Sequence, residues 1–245
     1  MKKTKIIIPA LGVLLLSTAA SVTGTVAWFS MNKTVTATGM SVTAKSDSSF
    51  LLIGNEDDDL DSIQDANSIS ATAKNSTKEL YPVAHKAIAN TAAADSISNW
   101  YFMYSDDPDN YIGTATEELA IPNGKLFTDY VLKNTFKITV AKQGHPVNNL
   151  KVDTLTISGV SAVRALVTSS TAAQEFAETY ADDPAVDTDD ATILAAQVTS
   201  STVVEINVYI FWDGNDELVY TNNADQLTNT SVELTFTYES VSTGA

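Results

Sequence analysis

The sequence predicts an antiparallel β-sandwich with short helices confined to its loops. Three observations carry that expectation. Apolar and polar residues alternate with period 2 in segment after segment, those segments are rich in β-branched and aromatic residues, and Gly, Asn or Asp separates them. Many strands and few helices pack as layered sheets.

Residues 50 to 53 are apolar and fit a buried strand. Residues 57 to 98 are polar, rich in Ala, Ser and Asn and aperiodic, so a long loop with a short helix is expected there. Strands are expected again at 100 to 104, 130 to 140, 150 to 157 and 162 to 167. The stretch STAAQEFAETYA, from 170 to 181, has helical character with Ser170 or Thr171 as its N-cap, and a second helical patch is expected at 191 to 196.

The clearest strand is STVVEINVYIFW. Val204, Ile206, Val208, Ile210 and Trp212 point one way and Glu205, Asn207, Tyr209 and Phe211 the other, the pattern of a strand with one face in a core. The turn Asp213-Gly214-Asn215-Asp216 then predicts a hairpin returning through Leu218 to Tyr220. Val232, Leu234, Phe236 and Tyr238 alternate with Glu233, Thr235, Thr237 and Glu239 in a closing strand.

At 245 residues, 44% hydrophobic and 18% charged, the chain can bury a sizeable core. Six Pro, ten Gly and no low-complexity tract exclude a linker-rich chain. The expected division is a leader over 1 to 27, a separate strand segment over 28 to 39 and one domain over 40 to 245.

Lys2, Lys3 and Lys5 precede an apolar run from Ile6 to Leu16, and Thr25-Val26-Ala27 has the small-x-small pattern of a signal peptidase site. Cleavage after Ala27 makes Trp28 the first mature residue. The competing reading is an uncleaved anchor, since about 20 apolar residues cross a bilayer. Ser17, Thr18, Ser21, Thr23 and Gly24 dilute the second half of the run and favour cleavage. Either way the domain is expected outside the cytoplasm, with signal peptidase as a partner and the membrane reached only through an uncleaved leader.

Removing the three leader lysines leaves 11 basic against 30 acidic residues, a formal charge of −19. Such a surface repels nucleic acid and anionic lipid. Cysteine is absent, so stability rests on core packing or on neighbouring subunits rather than on disulfides.

The segment that follows the leader changes phase. Phe29, Met31, Val35 and Ala37 fall on odd positions, whereas Met40, Val42 and Ala44 fall on even ones. A shift of one residue turns every later side chain to the opposite sheet face. Gly39 is then either a bulge in one bent strand or a hinge between two strands with different destinations. In the second case residues 28 to 38 are free to join another sheet by strand addition, where backbone hydrogen bonds hold the strand and alternate side chains fill pockets. Burying Phe29, Met31 and Val35 supplies on the order of 5–8 kcal/mol. Association costs of similar size oppose it, so a backbone ladder and a preformed groove are also needed. A head-to-tail contact of this kind propagates into a filament.

Gly24-Thr25-Val26-Ala27-Trp28-Phe29-Ser30, followed by Met40-Ser41-Val42-Thr43-Ala44-Lys45, resembles the TasA/camelysin family of secreted bacterial proteins. The resemblance covers residues 1 to 45. It implies a jelly-roll-like sandwich behind a leader cut by a dedicated signal peptidase. For the members that build biofilm matrix fibres it also implies passage of the N-terminal segment into the next subunit. Carried over to this chain, it makes Ala27 and Trp28 the cleavage site and residues 28 to 38 the donor strand. Its partners are then further copies of itself or a related fibre subunit. The bulky Trp28 and Phe29, with no acidic residue soon after, depart from the pattern of any one fibre subunit.

Other chemistry is sparse. Camelysin is described as a metalloprotease, but zinc proteases bring two His and a Glu together as in H-E-x-x-H, and this chain has only His85 and His145, in no such motif. Each is expected to be a solvated loop residue, and no enzyme is expected. No Ser lies in a G-x-S-x-G elbow. Asp-rich stretches at 55 to 61, 104 to 111, 180 to 190 and 213 to 217 suit turn geometry better than calcium, and none has EF-hand spacing. Of these, Asp182, Asp183, Asp187, Asp189 and Asp190 form the best calcium candidate; no other cofactor is expected. A surface adhesin or carbohydrate-binding module, using Tyr101, Tyr104, Tyr111 and Tyr220, is the main alternative to a fibre subunit.

Overall fold

A computed structural model describes residues 29–35, 51–74, 80–104, 117–158, 162–181, 192–219 and 230–240. The chain is mainly β, with few and short helices. One sheet has the order β11 (Tyr180–Ala181), β8 (Val147–Ser158), β14 (Thr230–Ser240), β1 (Phe29–Val35), β3 (Ser70–Thr72), with β12 (Ala195–Val198) also paired to β8. A second, wholly antiparallel sheet runs β10 (Ala173–Phe176), β9 (Val163–Thr168), β13 (Val204–Trp212), β7 (Leu132–Val140), β2 (Leu51–Asn55). A small antiparallel sheet joins β4 (Ala84–His85), β5 (Trp100–Tyr104) and β6 (Glu117–Ala120).

The six-stranded and five-stranded sheets share one core. Val152, Leu155, Val232, Leu234 and Phe236 of the first pack in the same buried cluster as Phe136, Ile138, Val208, Ile210 and Trp212 of the second. These are the alternating apolar positions of the strand pattern, and burying them at roughly 1.5–3 kcal/mol each is the main favourable term of the fold.

β13 departs from its expected one-sided burial. Both of its faces are covered from Ile206 to Trp212. Tyr209 and Phe211, with Leu166 of β9, form a second core against Val83, Trp100, Ile121, Leu126 and Val131. The covering layer comes from residues 80 to 104 and 117 to 131, within which the expected loop lies only in part. The expected loop also contains α1 (Leu60–Ala66), β3, β4, α2 (Thr91–Asp95) and a 3-10 turn over Ile97–Asn99. Local chemistry makes these elements: Ser62 donates its backbone N–H to Asp59 Oδ1 at 2.8 Å while Asp59 donates its own to Ser62 Oγ at 2.9 Å, a reciprocal cap. Asn67 ends α1 in the left-handed region at φ 49°.

Two expected helices are strands. Ala173–Phe176 forms β10 on the edge of the five-stranded sheet, and Ala195–Val198 forms β12. At β10 the turn decides the outcome. Ser169 N–H donates to the Ala172 carbonyl at 2.8 Å, and Ser169 Oγ accepts from the N–H groups of Thr171 and Ala172 at 3.2 and 3.1 Å. That turn folds 173 to 176 back on 165 to 168, and the ladder outweighs the helix propensity of Ala, Gln and Glu.

Among the described residues the expected hairpin after β13 does not form; Tyr220, the end of its expected returning arm, lies outside them. Glu217–Val219 is a 3-10 turn, because both flanks of β13 are occupied by β9 and β7. Instead Arg164 holds the turn, with guanidinium nitrogen 3.1 Å from Asp213 and 3.5 Å from Asp216.

Candidate functional site

The feature of the fold that bears on the strand-donation hypothesis is the position of β1. It lies between β14 and β3, parallel to β14 from Phe29↔Thr230 to Val35↔Phe236 and antiparallel to β3 from Asn32↔Thr72 to Thr34↔Ser70. It is the parallel member of a sheet whose other pairings are antiparallel. Its slot therefore has two walls of unequal length.

The long wall, β14, is built by alternation. Val232, Leu234 and Phe236 go into the core, and Glu233 and Glu239 lie exposed. Its other edge is paired with β8 and contains irregularities after Thr235 and Thr237. The first skips Asp153, and side chains fill the gap: Thr154 N–H donates to Thr235 Oγ1 at 3.0 Å and the Thr235 hydroxyl donates to Asp153 Oδ2 at 3.1 Å. With β8 fixed on one side, the remaining backbone edge from Thr230 to Phe236 faces β1.

The short wall, β3, is anchored by contacts that do not involve β1. Ile53 N–H donates to the Ser68 carbonyl at 2.9 Å, just before β3. Just after it, Lys74 N–H donates to Asn134 Oδ1 at 2.7 Å, and Asn134 Nδ2 donates back to the Lys74 carbonyl at 3.1 Å. Asn134 is buried in β7. Upstream, Ile63 of α1 is buried against Gly54, and Gln64 Nε2 donates to the carbonyls of Val140 and Ser200 at 2.8 and 2.7 Å. Both walls thus belong to elements secured elsewhere, a geometry suited to holding a strand without needing it for their own placement.

Of the residues expected to act here, Phe29, Met31 and Val35 fall in β1. Ala27, Trp28, Ala37 and Gly39 lie outside the described residues, as does the leader. Asp182, Asp183, Asp187, Asp189 and Asp190 also lie outside them. Among the described residues no group of three or more His, Cys, Asp or Glu side chains is placed to hold a metal ion. The other Asp stretches that are described serve turns: Asp58 Oδ2 accepts from Asn55 N–H at 2.7 Å, and Asp213 Oδ1 from Asn215 N–H at 2.9 Å.

Tyr101 is half-buried in β5, Tyr104 ends that strand, and Tyr111 and Tyr220 lie outside the described residues. Among the described residues, Tyr81 is 64% exposed, with its ring 5.8 Å from that of Tyr130, and Phe127 is 39% exposed. His145 is exposed, as expected for a loop. His85 is not: it sits in β4 with only 14% of its side chain exposed, against Glu175. Its spacing from Pro82 suggested a loop, and nothing near it in sequence signals a partner 90 residues away.

No family model, curated protein or solved structure matches this chain.

Proposed function

We propose that this chain is a secreted structural subunit of cell-surface or matrix fibres, built on a jelly-roll-like sandwich, whose N-terminal strand fills the β14–β3 slot of a neighbouring copy. The observation that carries the reading is the position of β1, the first described strand, parallel to β14, in a slot whose walls are anchored without it. The same slot serves the strand of its own chain in an isolated molecule and that of a neighbour in a fibre.

Three physical arguments support the exchange. First, residues 36 to 50 separate β1 from β2, and 15 residues reach about 50 Å when extended, enough to leave one molecule for another. Second, pairing in cis and in trans makes the same backbone bonds, so local concentration and linker geometry decide between them. Third, an emptied slot exposes the seven-residue β14 edge over the buried Val232, Leu234 and Phe236, an edge that natural sheets cover. Leader removal, by a signal peptidase acting at Ala27 and Trp28, frees the strand. The acidic surface keeps nucleic acid and anionic membranes from competing as partners.

The test is deletion of residues 28 to 38. The truncated chain is expected to stay monomeric by size-exclusion chromatography and electron microscopy, and to bind a synthetic peptide of that segment. Filaments formed by the truncated chain overturn the reading. The exposed Tyr81 ring beside Tyr130 favours a second reading, a glycan-binding surface; it predicts glycan capture by that same truncated monomer, lost on Tyr81→Ala.

A further inference from the structure

We infer that His85 and Glu175 form a protonation-dependent latch that holds the three-stranded sheet against the five-stranded sheet, closed when the imidazole carries both ring protons and released when it loses one. His85 Nε2 is 2.7 Å from Glu175 Oε2 on β10, and Nδ1 is 2.5 Å from the carbonyl oxygen of Lys86. A carbonyl has no hydrogen to donate, and neither has an ionised carboxylate. A neutral imidazole has one N–H, so one of the two contacts becomes lone pair against lone pair. The doubly protonated ring satisfies both.

The surroundings fit a cation. Trp100 of β5 lies 5.0 Å from the His85 ring and Phe211 of β13 5.4 Å from it, both within the distance at which aromatic rings attract positive charge. Among the described residues the charged groups around it are Glu175 from β10 and Asp213 from the turn after β13, with Lys86 next along the chain, just past β4. Arg164 of β9 is paired with Asp213 and partly offsets it. Trp100 from β5 and Phe211 from β13 do not titrate. Burial of the ring works against its charge. The hydrogen bonds to Glu175 and the Lys86 carbonyl, with the fields of Glu175 and Asp213, outweigh burial and hold the His85 pKa above the ordinary histidine value.

The latch lies where it controls docking. Beside it, Val83 N–H donates to the Trp212 carbonyl and Gly214 N–H to the Val83 carbonyl, both at 2.9 Å, so the chain entering β4 lies at the seam between the two sheets. A folded-state pKa raised above that of the unfolded chain gives a contribution fully present below about pH 6.5 and lost as pH rises through the folded value. Losing the latch raises the population of molecules in which the seam transiently opens over the Tyr209 and Phe211 face of β13.

The test is side-chain 15N NMR of the full chain across pH, with amide hydrogen exchange of residues 83 to 86 and 100 to 103. His145→Gln assigns the two histidines. The latch predicts that His85 titrates above about 6.5, and that protection of those amides falls about tenfold for each unit of that excess once pH passes the folded value, while β7 keeps its protection. In Glu175→Gln the His85 pKa falls toward about 6.5 and the pH dependence of protection shrinks with it. A wild-type His85 that titrates at or below that value, or protection that is the same on both sides of its titration, overturns the inference.

Discussion

Tyr209 donates its hydroxyl hydrogen to Asp95 Oδ1 at 2.8 Å, and through that bond β13 holds the end of α2. Lys133 reaches the same carboxylate, at 2.7 Å from Oδ1 and 2.9 Å from Oδ2, and its ammonium lies 5.6 Å from the centroids of both Tyr209 and Phe127. The layer over the five-stranded sheet is therefore fastened at a polar point inside an aromatic contact.

Tyr209→Phe is expected to cost about 1.5–3 kcal/mol, measured by urea denaturation at neutral pH, since it removes one hydrogen bond to a charged acceptor and leaves the packing. Burial and the neighbouring Asp95 raise the pKa of Tyr209 above that of a free tyrosine. The unfolded chain releases its phenolic proton near pH 10 while folded Tyr209 keeps it, so this group stabilises below pH 10 and its contribution is lost as pH rises further. Wild type should lose more stability above that pH than Tyr209→Phe does.

Phe211→Ala should cost about 3–5 kcal/mol by the same measurement. The position alternates with the core-facing Ile210 and Trp212, and a one-sided strand would leave it on the surface, where the cost is within about 0.5 kcal/mol. A small effect would contradict two-sided burial of β13.

Gly54→Ala should destabilise by about 1–3 kcal/mol, because its Cβ would lie 2.4 Å from Ile63 Cγ1. Adding Ile63→Ala makes room, so the double mutant should be less destabilised than the sum of the two single changes. Strict additivity in a thermodynamic cycle would show that α1 does not pack there.

The strands of the central core were readable because their alternation is strict. β5 and β13 have the bounds that periodicity suggests, and β14 begins two residues before Val232 and ends one after Glu239. Burial of the second face of β13 was hidden because Asn207 and Tyr209 look solvent-facing. Their polar atoms are satisfied internally: Asn207 Oδ1 accepts from the Thr135 hydroxyl at 2.6 Å and Tyr209 reaches Asp95. β10 was obscured by helix-forming residues in an edge ladder. The change of phase suggested a separate strand over residues 28 to 38, of which the structure describes 29 to 35; β3 and β14 as its walls could not be read. Register between the two ends of a chain leaves no local pattern, and three-residue β3 is too short for a period.

The central claim is that β1 occupies the slot of another copy in assembled material, and an engineered disulfide tests it directly. Asn32 and Glu233 are register partners across β1 and β14, Glu233 is exposed, and the chain has no native cysteine to interfere. Asn32→Cys with Glu233→Cys, oxidised after assembly and run on a non-reducing denaturing gel, should give a ladder of covalent multimers. Assembled fibres that yield only internally linked monomers would contradict the claim.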